Sequence, residues 1–133
     1  MNAALAIAAR PLVFREETSS GEMKEVSATP EIFGDAIIAR KDAGTSYHLA
    51  SVHDDALQGV THVIRGEDLR VAAHLHTLLQ ALLDLPRPVY RHHRLITDEA
   101  GRRLAKRDKA LTLRAMREAG ESAESVRRRL GFE

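Results

Sequence analysis

The pattern of hydrophobic and polar residues along this chain predicts strands that alternate with helices. Short apolar runs typical of buried strands occur at residues 12–14, 36–40, 60–64 and 89–96. A longer apolar stripe at helical spacing predicts one well-defined helix around Val71, Leu75, Leu78, Leu79 and Leu82. This order of elements predicts an α/β fold with a mainly parallel sheet and flanking helices.

The segment Tyr47–Leu57 fits two alternatives. As a strand it would align Tyr47, Leu49, Ser51 and His53. As a helix it would align Leu49, Val52, Ala56 and Leu57. Gly59 stands where it would end a helix, and this favours the helix.

Polar residues separate these elements. The stretch from Arg15 to Pro30 has Ser19, Ser20 and Gly21 at its centre and predicts an exposed hairpin or a mobile loop without chemistry. Near the other end, Thr112 and Ser122 each stand where an N-cap is expected, and they predict two short helices.

Size and composition narrow the class of protein. The 133 residues suit one domain, and 44% hydrophobic residues allow a core. The net charge of +1 indicates no particular polyanionic partner, and the absence of cysteine excludes disulfides and thiolate metal sites. No apolar run approaches the length of a membrane span, and the apolar start lacks the basic residue of a secretory signal, so we expect a cytoplasmic protein.

Arg65 and Tyr47 are candidate ligand-binding residues. Arg65 directly follows an apolar strand and precedes a glycine, at the sheet edge where ligands of α/β folds bind. A guanidinium there can grip a carboxylate through two hydrogen bonds, or it can form a local ion pair with Glu67 or Asp68. Tyr47 can line a pocket, or it can lie at the edge of the core with its hydroxyl in water.

Other charged residues are weaker candidates. Asp54 and Asp55 diverge on a helix and are poorly placed for acid–base catalysis or for joint metal binding. The seven histidines lack the spacing of a zinc helix, so we predict no protein metal site and interpret them mostly as surface or packing residues. The basic segment Gly101–Ala110 fits either a phosphate-binding loop or a solvated loop that contacts RNA nonspecifically.

Two motifs carry a resemblance to a known family. SYHLASVHDDALQGVTHVIRGEDL, followed by a leucine-rich helix and then RRLAKRD, resembles the glutamyl-tRNA synthetase group of class I aminoacyl-tRNA synthetases. Within that group, the short glutamyl-Q tRNA(Asp) synthetases are most similar. The resemblance implies part of a Rossmann-like catalytic domain that activates glutamate with ATP and Mg²⁺ and transfers it to queuosine of tRNA(Asp).

The resemblance also implies roles for individual residues. Tyr47 and Arg65 match residues that bind glutamate. The KMSKS-like motif, in which Lys106 would contact ATP, comprises Arg103, Leu104, Ala105, Lys106 and Arg107. The cysteine-bearing zinc site of the family has no counterpart, and no zinc is expected.

The HIGH signature of the family is missing from the printed sequence. We therefore expect residues 1–33 to be a polar, partly mobile connecting region and residues 34–133 to be the carboxy-terminal half of the catalytic domain. One nucleotide-binding loop cannot replace a whole ATP site, so this chain alone is expected to be inactive. The alternative is a noncatalytic tRNA- or amino-acid-binding remnant, and a missing amino-terminal half or self-association would cover exposed apolar surface.

Overall fold

The computed structural model describes residues 11–97, residue 101 and residues 112–131. Contacts divide the chain into two units, Met1–His93 and Arg94–Glu133. The predicted boundary after residue 33 remains a prediction. No helix within the described ranges is long and apolar enough to cross a membrane.

The first unit contains a four-stranded sheet with the strand order β2-β1-β4-β3. Its strands are β1 (Val13–Glu17), β2 (Met23–Ser27), β3 (His62–Gly66) and β4 (Val89–His93). The β1–β2 pair is antiparallel, whereas β4 runs parallel to both β1 and β3. The α/β class with a mainly parallel sheet is therefore confirmed. The polar stretch after Phe14 forms the predicted hairpin, with Gly21 at a φ of 82° in its turn.

Helix α1 (Tyr47–Leu57) confirms the helical alternative for this segment. The Ser46 hydroxyl accepts a hydrogen bond from the Leu49 amide and so satisfies one of the free donors of the first turn. Gly59 follows the helix with a φ of 66°, a conformation that glycine adopts without steric cost.

Helix α2 (Ala72–Leu82) packs between the sheet and α1. Ala73 lies against Phe14 of β1 and Tyr90 of β4. Leu75 and Leu79 pack on the side of α1, against Val52. A helix covered on both sides buries most of its circumference, including its polar residues His76, Thr77 and Gln80.

The predicted strand at residues 36–40 is wrong. These residues belong to no strand of the sheet, and Ala36 and Ile38 pack against the α1–α2 core while Ile37 is exposed. Its carbonyl groups are used locally, because Ile38 accepts from the Ser46 amide and Arg40 accepts from the Gly44 amide. The apolar run reflects burial of a loop that leads into α1, and this burial does not require a sheet partner.

The second unit confirms the two predicted caps. Helices α3 (Leu113–Glu118) and α4 (Ala123–Arg129) begin after Thr112 and Ser122, whose hydroxyls accept from the amides of Ala115 and Ser125.

Two leucines of α2 provide a test of this packing. Leu79 is 2% exposed and Leu82 is 45% exposed, on the same helix. We expect Leu79→Ala to lower the free energy of unfolding by about 2–5 kcal/mol, because it removes buried methyl groups and leaves a cavity. Leu82→Ala is the matched control, with an expected change of about 0.5 kcal/mol or less. Urea unfolding followed by far-UV circular dichroism measures both, and equal losses would contradict this packing.

Candidate functional site

The candidate site lies at the carboxyl end of the parallel strands. Arg65 is the second-last residue of β3, and the strand register places it beside His92 of β4. Carboxyl ends of parallel neighbours meet at one edge of a sheet, where ligands of α/β folds bind. Arg65 is nevertheless only 9% exposed, and its guanidinium contacts His76 of α2.

Two histidines hold the guanidinium of Arg65. Its Nε donates to His92 Nε2 at 3.2 Å and its Nη1 donates to His76 Nδ1 at 3.3 Å. The ring of Tyr90 lies 4.9 Å from the guanidinium carbon, within the range of a cation–π contact. The group is therefore fixed in position by neighbours on α2 and β4.

The third nitrogen of this guanidinium, Nη2, is buried and has no hydrogen-bond partner in the described part of the chain. An unpaired buried donor costs free energy, and more so on a charged group. A carboxylate bound at this nitrogen would satisfy both the donor and the charge.

His76 connects Arg65 to helix α1. Its Nε2 lies 3.0 Å from His48 Nδ1, so the two rings share a hydrogen bond. Burial is the main cause that lowers the pKa of His76 to about 3, and the charges of Arg65 and His48 lower it further. His76 is therefore neutral near pH 7.

Tyr47 lies at the open side of the same group. It is 53% exposed, and its ring centre lies 5.9 Å from that of His76 and 5.4 Å from that of His48. The structure thus brings the two predicted glutamate-binding residues, Tyr47 and Arg65, to a common histidine.

Glu16 anchors the far side of the site. It accepts from Arg70 Nε and Nη2 at 2.9 and 2.6 Å, and its Oε1 lies 2.7 Å from His92 Nδ1. Burial opposes ionisation of this carboxyl, but the hydrogen bonds of Arg70 and His92 outweigh it and lower the pKa of Glu16. Glu16 lies in the stretch that was predicted to be a hairpin or loop without chemistry, and its contacts hold Arg70 and His92 in place.

The two adjacent aspartates separate as expected. Asp54 is exposed and pairs with His53 at 3.1 Å. Asp55 is half-buried, and burial raises its pKa although the charge of Arg65 lowers it.

His74 has a structural partner, because its Nδ1 accepts from the Thr29 amide at 2.9 Å. Among the described residues, no group of three or more histidine or acidic side chains is arranged to hold a metal ion.

The KMSKS-like residues Arg103, Leu104, Ala105, Lys106 and Arg107 lie outside the described residues.

Sequence reasoning missed His48, His76 and His92 as neighbours of Arg65. One signal was available for His92, since it follows an apolar strand as Arg65 does, and parallel strands place such positions side by side. For His76 the pattern offered only a polar residue within an apolar helix.

Comparison with known proteins identifies the family. Residues 12–132 match the model of the class I tRNA synthetases (E and Q), catalytic domain. The chain belongs to this family. The predicted resemblance is therefore confirmed, and the sheet with its helices is part of a class I synthetase catalytic domain.

This chain spans only about a fifth to a third of the length of the relatives that it matches. The glutamyl-Q tRNA(Asp) synthetase of Rhodobacter capsulatus is 58% identical over 99 residues, which are 74% of this chain and 36% of that protein. Glutamate–tRNA ligase 2 of Alkalilimnicola ehrlichii is 45% identical over 98 residues, 74% of this chain and 20% of that protein. The crystal structure of glutamate–tRNA synthetase from Elizabethkingia anophelis superposes with a TM-score of 0.59 and 29% identity, covering 74% of this chain and 19% of that one.

The neutral histidines predict that acid destabilises the fold. The pKa of His76 falls from 6.5 in the unfolded chain to about 3 in the folded one, so the unfolded state binds the proton first. The contribution of His76 is fully present above pH 6.5 and is lost as the pH falls towards 3. We expect the free energy of unfolding to decrease by about 2 kcal/mol from His76 alone between about pH 6.5 and 5.

Urea unfolding at several pH values measures this loss. His76→Leu should flatten the pH dependence, whereas substitution of an exposed histidine on β3, His62→Asn, should leave it unchanged. Equal slopes for wild type and His76→Leu would contradict the assignment.

Proposed function

We propose that this chain is part of a glutamyl-Q tRNA(Asp) synthetase-like ligase, which activates glutamate with ATP and transfers it to queuosine of tRNA(Asp). The family match supports a tRNA ligase. Several relatives named glutamyl-Q tRNA(Asp) synthetase, at up to 58% identity, support this acceptor over others. The partners are then glutamate, ATP and tRNA, in the cytoplasm.

The buried, unpartnered nitrogen of Arg65 is the observation that carries this proposal. A guanidinium held in place with one nitrogen, Nη2, unused has the chemistry to bind a carboxylate. In our proposal Arg65 binds a carboxylate of glutamate, and Tyr47 lines the open side and donates a hydrogen bond from its hydroxyl. A related glutamate–tRNA ligase, from Elizabethkingia meningosepticum, has been crystallised in complex with its amino acid.

ATP activation requires more than these residues. The reaction joins a carboxylate oxygen of glutamate to the α-phosphorus of ATP and releases pyrophosphate, and charge develops on the phosphates. We assign Lys106 to the ATP phosphates and Mg²⁺ to ATP itself. A HIGH-bearing segment would supply the rest of the nucleotide site, so the isolated chain is inactive in this proposal.

The test is ATP–pyrophosphate exchange with glutamate, using a HIGH-bearing amino-terminal segment of a family member, either fused ahead of this chain or added in trans. We expect exchange with the segment and none without it. In the fusion, Arg65→Ala should lower kcat/KM for glutamate by about hundredfold or more, because it removes a buried charged partner.

Tyr47→Phe should raise the KM for glutamate by roughly threefold to tenfold, the cost of one hydrogen bond. The matched control for Arg65→Ala is Arg40→Ala, since Arg40 is an exposed arginine that pairs with Asp42 on the surface. The fusion that carries Arg40→Ala should exchange pyrophosphate at the wild-type rate. If the fusion binds tRNA or glutamate but never exchanges pyrophosphate, the ligase assignment fails and a noncatalytic remnant replaces it.

A further inference from the structure

The two arginines of this site are held in chemically different ways. Arg70 makes a bidentate contact with the carboxylate of Glu16, at 2.9 and 2.6 Å, and its charge is compensated. The hydrogen bonds of Arg65 go instead to imidazole nitrogens of His92 and His76. Asp55, whose charge interacts with that of Arg65, makes no such contact in the described structure, and burial disfavours its ionised form.

The guanidinium determines where the protons of its neighbours are. It has donors and no acceptor, so His76 Nδ1 and His92 Nε2 must both be unprotonated to receive its hydrogen bonds. His76 therefore carries its proton on Nε2 and donates to His48 Nδ1 at 3.0 Å. His92 carries its proton on Nδ1 and donates to Glu16 Oε1 at 2.7 Å.

This chain of hydrogen bonds has a chemical consequence. A neutral imidazole orients a guanidinium through a hydrogen bond, but unlike a carboxylate it leaves the positive charge uncompensated. His76 is itself fixed from two sides, by its place in the buried helix α2 and by His48 of α1, whose ring also contacts Phe33 at 5.9 Å. The packing of two helices thus fixes the acceptor that His76 offers to Arg65, in addition to the contacts that β4 provides.

We propose that His76, held by His48, is a positioning residue that orients Arg65 and keeps its charge available for a carboxylate of the amino-acid substrate. This inference rests on the proposed function and adds the residue that positions Arg65 for carboxylate binding. His76 is not a catalytic residue, because it reaches the substrate only through Arg65.

Three substitutions separate this role from a merely structural one. His76→Asn places an amide oxygen, a neutral acceptor, where Nδ1 lies. The aspartate of His76→Asp has the same size as asparagine but places a negative charge beside the guanidinium of Arg65. His76→Leu removes the acceptor altogether. A role in packing or in hydrogen bonding alone would make the Asn and Asp variants equivalent.

Binding is measured on the whole chain by NMR, from the shift of the Arg65 side-chain Nε–H resonance during titration with glutamate, and thermal melting checks that each variant folds. We expect His76→Leu and His76→Asp to weaken glutamate binding about tenfold or more, and His76→Asn to retain it within about threefold. Equal binding by the Asn and Asp variants, or wild-type binding by the Leu variant, would overturn the proposal.

A second measurement needs no variant. Long-range ¹H–¹⁵N spectra of the wild-type chain should show His76 as the Nε2–H tautomer, and an Nδ1–H tautomer would overturn the proposal. In the fusion, the same variants should change the KM for glutamate and leave the KM for ATP unaltered. If the fusion lacks exchange while the Asn and Asp variants still differ in binding, the proposed function fails and this inference stands. If the fusion exchanges pyrophosphate and the Asn and Asp variants bind glutamate equally, the proposed function stands and this inference fails.

Discussion

Helix α2 is covered by the sheet on one side and by α1 on the other, and this double burial shapes both the fold and the site. Polar residues on such a helix must find partners inside the protein, because an unpaired buried group costs free energy. Thr77 satisfies its hydroxyl on the Ala73 carbonyl at 2.7 Å, and Gln80 donates to the hydroxyl of Tyr90 at 3.0 Å. His76 finds its partners in Arg65 and His48.

The donor-only guanidinium of Arg65 links this packing to chemistry. Its neighbours can accept hydrogen bonds only as neutral imidazoles, and burial lowers the pKa of His48, His76 and His92, in agreement with that requirement. The result is a charged group in a fixed place with one nitrogen unused. Such preorganisation favours an anionic ligand, since the free energy needed to orient the binding group is spent in folding.

Strand β1 of the hairpin also contributes to the site, beyond helix α1 and strand β3, which carry Tyr47 and Arg65. Glu16 is buried and accepts hydrogen bonds from Arg70 and from His92 Nδ1, so a residue of β1 sets the orientation of a ring on β4. The carboxylate of Glu16, which pairs with Arg70, and the imidazoles around Arg65 therefore belong to one hydrogen-bond network. The ring of His92 therefore connects Glu16 to Arg65.

The amino-acid sequence by itself determined the elements whose signals are local. The caps at Thr112 and Ser122, the glycine after α1 and the period of α2 depend on near neighbours in the chain, and they correctly indicated these helices. The motifs around Tyr47 and Arg65, together with the leucine-rich helix and RRLAKRD, indicated the family that the comparison then showed. Residues 36–40 were misassigned because a short apolar run indicates burial, and a loop that packs on helices can be buried without pairing in a sheet. Only the tertiary structure decided which histidines surround Arg65, since hydrogen bonds between residues far apart in the chain depend on how the strands and helices pack.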